Sequence, residues 1–136
     1  MEVLSSESLI IGRSEDIVVV RQAVRQKAVT LGFSLVDQTK IVTATSELAR
    51  NTLDYGKGGT VTVQVIHNGR RKGVRVTFTD EGPGIPDLAL ALKDGYTSGK
   101  GMGLGLGGAK RLSDEFEIDS APGKGTRVTI SRWKSA

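Results

Sequence analysis

V-R-V-T-F-T-D-E-G-P-G-I, residues 74–85, carries the decisive pattern of this chain. Val74, Val76 and Phe78 alternate with Arg75, Thr77 and Thr79, the period of two expected of a strand with one buried face. Asp80 shares the parity of the valines, so its carboxylate points to the apolar side, where an unpaired charge is costly and a partner is expected. Gly82, Pro83 and Gly84 then end the strand and strip side chains from the backbone, which allows a flat ligand to approach closely. A buried acceptor beside bare backbone suits a purine with an exocyclic amine. The plainer reading is a strand-ending turn, since Asp, Gly and Pro are ordinary turn residues. The rest of the chain decides between them.

Upstream, Thr60 to His67 alternates through Val61, Val63 and Val65, and Asn68-Gly69 links it to the Val74 strand as an antiparallel hairpin. Before that, Leu35 to Tyr55 reads as a helix with Ile41, Ala44 and Leu48 on its buried stripe. An earlier helix has Ser14 as N-cap, Ile17, Val20, Val24, Ala28 and Leu31 at helical spacing, and Gly32 as its stop. Ser8 to Gly12 reads as a first strand.

Downstream, Pro86 and Asp87 open a short helix through Leu88, Leu90 and Leu92, and Asp94 to Gly101 has no hydrophobic period and reads as a mobile loop. That loop enters G-M-G-L-G-L-G-G, Gly101 to Gly108, followed by a helical stretch through Leu112. Glu115 to Ser120 and Gly125 to Trp133 are the closing strands.

With 136 residues, the chain reads as one domain, residues 1–136, with room for one sizeable core. Nineteen Lys and Arg against 15 acids give a net charge of +4, a mild bias toward acidic partners. The absence of cysteine excludes disulfides and thiolate metal sites. Aromatic residues make up only 4%, too few for base stacking, so no nucleic-acid partner is expected. No apolar run has membrane-spanning length and the start lacks a secretion pattern, so a cytoplasmic protein without a membrane partner is expected.

Glu47 and Asn51 stand four apart, on one helix face beside the Ala44 and Leu48 stripe. Asn51 offers an oxygen suited to Mg²⁺, and Glu47 a base for an attacking hydroxyl. The alternative is a helix-edge pair bonded to Arg50 or to water. Gly103, Gly105 and Gly108 match G-x-G-x-x-G, but a polar loop stands where the dinucleotide fingerprint needs a strand. A glycine loop opening a helix still presents backbone N–H groups to phosphates, and Lys100 adds a charge. Thr126 shares parity with Val128 and Ile130 and is either a core hydroxyl or a ligand contact. His67 has no second histidine for a metal site, and Trp133 reads as a packing residue.

Four motifs stand in order across some 80 residues: E-L-A-R-N at Glu47 to Asn51, D-E-G-P-G-I at Asp80 to Ile85, the glycine run, and G-T at Gly125 and Thr126. Together they resemble the N, G1, G2 and G3 boxes of the GHKL ATPase and kinase superfamily. The resemblance implies the Bergerat fold, a two-layer α/β sandwich with helices on one face of a mixed, mainly antiparallel sheet. By position it implies ATP and Mg²⁺ as cofactors, Glu47 as catalytic base and Asn51 as Mg²⁺ ligand. Asp80 would bond the adenine amino group with Thr126 in support, and Gly82, Gly84 and Ile85 would shape the base pocket. Lys100, Gly101, Gly103, Leu104 and Gly105 would hold the phosphates.

Within that superfamily, gyrase-like, mismatch-repair and chaperone members need a further domain, and sensor histidine kinases a dimerising helix pair, for which 136 residues leave no room. V-D-Q-T-K-I-V-T-A-T-S-E-L-A-R-N, D-E-G-P-G-I-P-D and A-K-R-L-S-D-E-F resemble the RsbT-like switch serine/threonine kinases of bacterial partner-switching modules. That branch implies phosphorylation of a small STAS-domain protein (RsbS/RsbR-like) in a stressosome-type complex. It also implies release to activate a downstream metal-dependent serine phosphatase (RsbU-like). The alternatives are an anti-sigma factor or nucleotide-dependent binding module that sequesters its partner, and a free-standing ATPase. Retention of Glu47 favours the kinase, because a pure binder needs no base there.

Overall fold

The computed structural model describes residues 1–92 and 105–135, apart from the side chains of Leu88 and Leu90. The elements are β1 (Glu2–Ile11), α1 (Ser14–Thr30), α2 (Leu35–Asp54), β2 (Gly59–His67), β3 (Lys72–Asp80), α3 (Leu88–Ala91), α4 (Leu106–Arg111), β4 (Glu115–Ser120) and β5 (Thr126–Trp133). The five strands form one sheet in the order β1-β2-β3-β5-β4. Among the described residues every pairing is antiparallel, so the sheet is the expected α/β layer without the parallel pair that a mixed sheet would contain.

Alternation along the strands sets the two layers. Val61 and Val63 on β2, Val74, Val76 and Phe78 on β3, and Val128 and Ile130 on β5 are buried together with Ile17, Val20, Val24 and Ala28 of α1 and Ile41, Ala44 and Leu48 of α2. Their neighbours Thr62, Gln64, Arg75, Thr77 and Thr129 line the opposite, polar face. The hairpin forms as read: Asn68 Oδ1 accepts the N–H groups of Arg70 at 3.0 Å and Arg71 at 2.8 Å, and Gly69 takes the left-handed conformation at φ 91°.

Local differences have local causes. β1 begins at Glu2, not Ser8, because an edge strand exposed on both faces over most of its length is held by backbone pairing with β2 and carries no apolar alternation. Ser14 is the first residue of α1 and not its cap. Asp16 instead reaches back to take the N–H groups of Gly12 at 2.8 Å and Arg13 at 3.0 Å, which holds its carboxyl below the usual range. Ser34 caps α2, its Oγ accepting the Asp37 N–H at 3.1 Å.

Candidate functional site

The site is assembled where β3, β5 and β4 end side by side. Asp80 is paired with Thr126, and Thr126 with Ser120, so the three side chains lie in one row on the helix-covered side of the sheet. Asp80 Oδ1 accepts the N–H of Gly82 at 2.9 Å, closing the turn that ends β3. Burial raises the Asp80 carboxyl above the usual range, and the backbone N–H groups of Gly82 and Thr126 partly oppose that rise.

Three close approaches explain the glycines. A Cβ on Gly56 would run into the Asp80 carboxylate, and one on Gly82 would come within 2.7 Å of Gly56 Cα. Gly84, at φ 78°, packs against the Ala121 carbonyl with no room for a methyl group. The result is a cleft of about 410 Å³, counting space open to solvent. Its apolar walls are Leu48, Phe78, Ile85, Leu106 and Val128, and its polar groups are Asn51, Thr52, Asp80 and Thr126. Few polar groups converging in an apolar slot is the usual make-up of a small-molecule site.

Ser120, which the sequence reading placed only at a strand end, organises the far wall. Its Oγ accepts the Ile85 N–H at 2.8 Å and donates to the Gly125 carbonyl at 2.9 Å. The serine proton is thereby used, so in the 2.8 Å contact between the two hydroxyls Thr126 is the donor. Thr126 is left with its lone pairs, and with Asp80 beside it the cleft presents two acceptors that match an amine-bearing base. Gly56 likewise stands in the sequence only as the residue that follows the Leu35 to Tyr55 helix. Neither role has a local sequence signal, because each depends on a neighbour brought in by the sheet.

Glu47 lies one turn before Asn51 on α2 and is exposed, where its spacing had placed it at the edge of the core. It stands against the start of α4: a Cβ on Gly105, which adopts φ 63°, would come 2.5 Å from Glu47 Oε2. Arg50 reaches Asp54, at 4.0 Å, and not Glu47. Lys100, Gly101, Gly103 and Leu104, and the loop that leads to them, lie outside the described residues. Among the described residues no group of three or more His, Asp or Glu is arranged to hold a metal ion, and no helix is long and apolar enough to cross a membrane.

Residues 36–135 match the family described as histidine kinase-, DNA gyrase B-, and HSP90-like ATPase. The chain is 43% identical to the serine/threonine-protein kinase RsbT of Bacillus subtilis (strain 168), over 87% of this chain and 89% of that one. This chain belongs to that ATPase family, in its RsbT-like serine/threonine kinase branch. The RsbT-like chain is also 29% identical to an anti-sigma F factor of Thermoanaerobacter sp. (strain X514), over 83% of this chain and 82% of that one. Its fold is similar to the RsbU and RsbW domains of Rv1364c from Mycobacterium tuberculosis, with a TM-score of 0.67 and 21% identity over 97% of this chain and 33% of that one. A member of an ATPase family binds ATP, and the acceptors Asp80 and Thr126 in an apolar slot suit the amine-bearing base of that nucleotide.

Proposed function

We propose that the chain acts, as one ATP-binding kinase domain over residues 1–136, by transferring phosphoryl groups from ATP to a serine or threonine of a small STAS-domain protein in a stressosome-type partner switch. Release from that complex then frees it to activate a downstream metal-dependent serine phosphatase, all within the cytoplasm. The observation that carries the nucleotide part is the pair of acceptors, Asp80 and Thr126, at the end of an apolar slot walled by glycine backbone. Asp80 would take the adenine amino proton, Thr126 would assist it, and Gly82, Gly84 and Ile85 would hold the base plane. Asn51, on the cleft wall, would hold Mg²⁺, a hard ion that needs few protein ligands. Lys100, Gly101, Gly103, Leu104 and Gly105 would hold the phosphates. ATP supplies the phosphoryl group, and the protein's part is positioning and charge stabilisation. Glu47 would orient the incoming hydroxyl and take its proton. Its exposure suits that role, since the hydroxyl arrives on another protein.

The partner reading rests on relatedness to a kinase named RsbT. A second reading, sequestration of a bound partner without transfer, is favoured by the likeness to an anti-sigma F factor. Radiolabel transfer from ATP to candidate STAS proteins separates the two. Label on a serine or threonine of one of them is the expected result; tight, nucleotide-dependent binding without label would replace the kinase by a sequestering module.

A further inference from the structure

The end of the sheet away from the cleft carries a second feature. Thr30 and Leu31 at the close of α1, His67, Arg70, Arg71 and Lys72 of the hairpin, and Lys134 and Ser135 after β5 line a shallow groove of about 920 Å³, counting space open to solvent as for the cleft. β3 runs from Lys72 to Asp80, so about 27 Å of strand separates this groove from the cleft.

Among the described residues no carboxylate lines the groove, and Arg70, Arg71, Lys72 and Lys134 enter no ion pair. Glu2 stands opposite His67 across β1 and β2 but does not line it. With those four set aside, the 19 basic residues of the chain fall to 15, equal to its 15 acids. Four of the chain's 19 basic residues therefore stand together in one groove. Its cations are also held on fixed backbone: the Lys134 N–H donates to the Lys72 carbonyl at 2.9 Å, and Asn68 fixes the turn that carries Arg70 and Arg71.

Beside the groove the surface is apolar. Val29, Leu35 and Val36, at the turn between α1 and α2, are 54%, 72% and 62% exposed. Ser135 ties this turn to the groove, donating to Asp37 Oδ2 at 2.9 Å in the residue after Val36. Scattered apolar side chains are ordinary on a surface, but Val29 directly precedes Thr30 of the groove, and Leu35 and Val36 directly precede Asp37, which Ser135 of the groove bonds, so apolar side chains and cations stand side by side along the chain. Nucleic acid matches the charge but has no use for exposed valine and leucine, and no Phe, Tyr or Trp lines the groove to stack on a base.

We propose that this end of the molecule docks an acidic, amphipathic segment of a protein partner, with its carboxylates on Arg70, Arg71, Lys72 and Lys134 and its apolar side chains on Val29, Leu35 and Val36. The surface is independent of phosphoryl transfer. A partner held there leaves the cleft open, so one chain can hold a partner and nucleotide together.

The test uses the whole chain and a fluorescent helical peptide with Glu along one face and Leu along the other, read by anisotropy. A scrambled peptide of the same composition and a DNA duplex are the comparisons. The wild type should bind the amphipathic peptide more tightly than the scrambled one, and less tightly as salt rises. Arg70→Glu with Arg71→Glu, and separately Leu35→Ser with Val36→Ser, should each weaken binding at least about tenfold, or about 1.4 kcal/mol. Calorimetric ATP binding, unchanged in both variants, reports that each is folded. Absence of peptide binding by the wild type, or wild-type affinity in the charge-reversed variant, overturns the proposal. If DNA displaces the peptide and the Leu35 and Val36 variant binds normally, the groove is a nucleic-acid surface and the proposal also falls.

Discussion

At the Asp80 end of the sheet the strands stop in glycines and a half-buried carboxylate whose neighbours are backbone N–H groups; at the Arg132 end they stop in a network of charges. There Arg132 donates to Asp37 Oδ1 at 2.7 Å and to the Leu112 carbonyl at 2.9 Å, while Asp114 accepts the Trp133 N–H at 2.7 Å. The Arg132 guanidinium holds the Asp37 carboxyl below its usual range, and Ser135 and Ser34 add to that. Burial raises the Asp80 carboxyl instead. The same strands therefore end in two different devices. One locks the start of α2 to β5 and the start of β4, and the other leaves acceptors facing a cleft. Charge satisfied within the chain belongs to stability, and acceptors left facing a cleft belong to a ligand.

The sharpest separation is expected at Glu47. Glu47→Ala should lower phosphoryl transfer to a partner by about 10² to 10⁴, as loss of a general base does, with ATP binding and thermal stability close to wild type. Transfer at the normal rate would make Glu47 a surface residue of α2.

At the other end, Arg132→Met leaves Asp37 buried without its cation. It should cost about 3 kcal/mol of stability in urea unfolding at neutral pH, the order found when one partner of a buried pair is removed. ATP affinity of the folded variant should not change. Because the folded Asp37 pKa is lowered, the pair's contribution is fully present above the unfolded value near 3.9 and is lost as pH falls through the folded one. The gap between wild type and variant should therefore start to narrow near pH 4 and close as the pH falls through the lowered folded value. A gap that persists there would mean that the guanidinium acts by packing alone.

Smaller effects sharpen the cleft side. Gly56→Ala should displace the Asp80 carboxylate and weaken ATP binding about tenfold, with a stability loss of about 1 to 3 kcal/mol from overpacking. Calorimetry that finds normal affinity would show that the carboxylate has room to move. Ser120→Ala removes the acceptor of the Ile85 N–H and the donor to Gly125, and should cost about 1 to 2 kcal/mol in thermal unfolding. An unchanged melting temperature would put those groups in contact with water.

The contrast between the ends also explains what could be read from the chain beforehand. The strands of the core, the hairpin and both long helices follow from short-range periods, as do Asp80 and Thr126, whose parity alone puts them on the covered face. Asp37 and Arg132 stand 95 residues apart, and nothing in V-D-Q-T or S-R-W marks them as partners. Gly56 and Ser120 escaped for the same reason, since the clash with Asp80 and the bond to Ile85 exist only once the sheet is assembled. The first six residues of β1 were hidden by exposure on both sides, which removes the pattern that strand reading depends on.

The central claim is that Asp80 recognises the base of ATP, and calorimetry of ATP with the wild type and Asp80→Ala tests it most directly. Loss of the acceptor should cost about 1 to 3 kcal/mol, which is roughly a 5- to 150-fold rise in the dissociation constant. The wild type should also prefer ATP to GTP, whose base presents a carbonyl where adenine presents its amine, and the variant should lose that preference. A folded Asp80→Ala protein that binds ATP as tightly as the wild type would contradict the account.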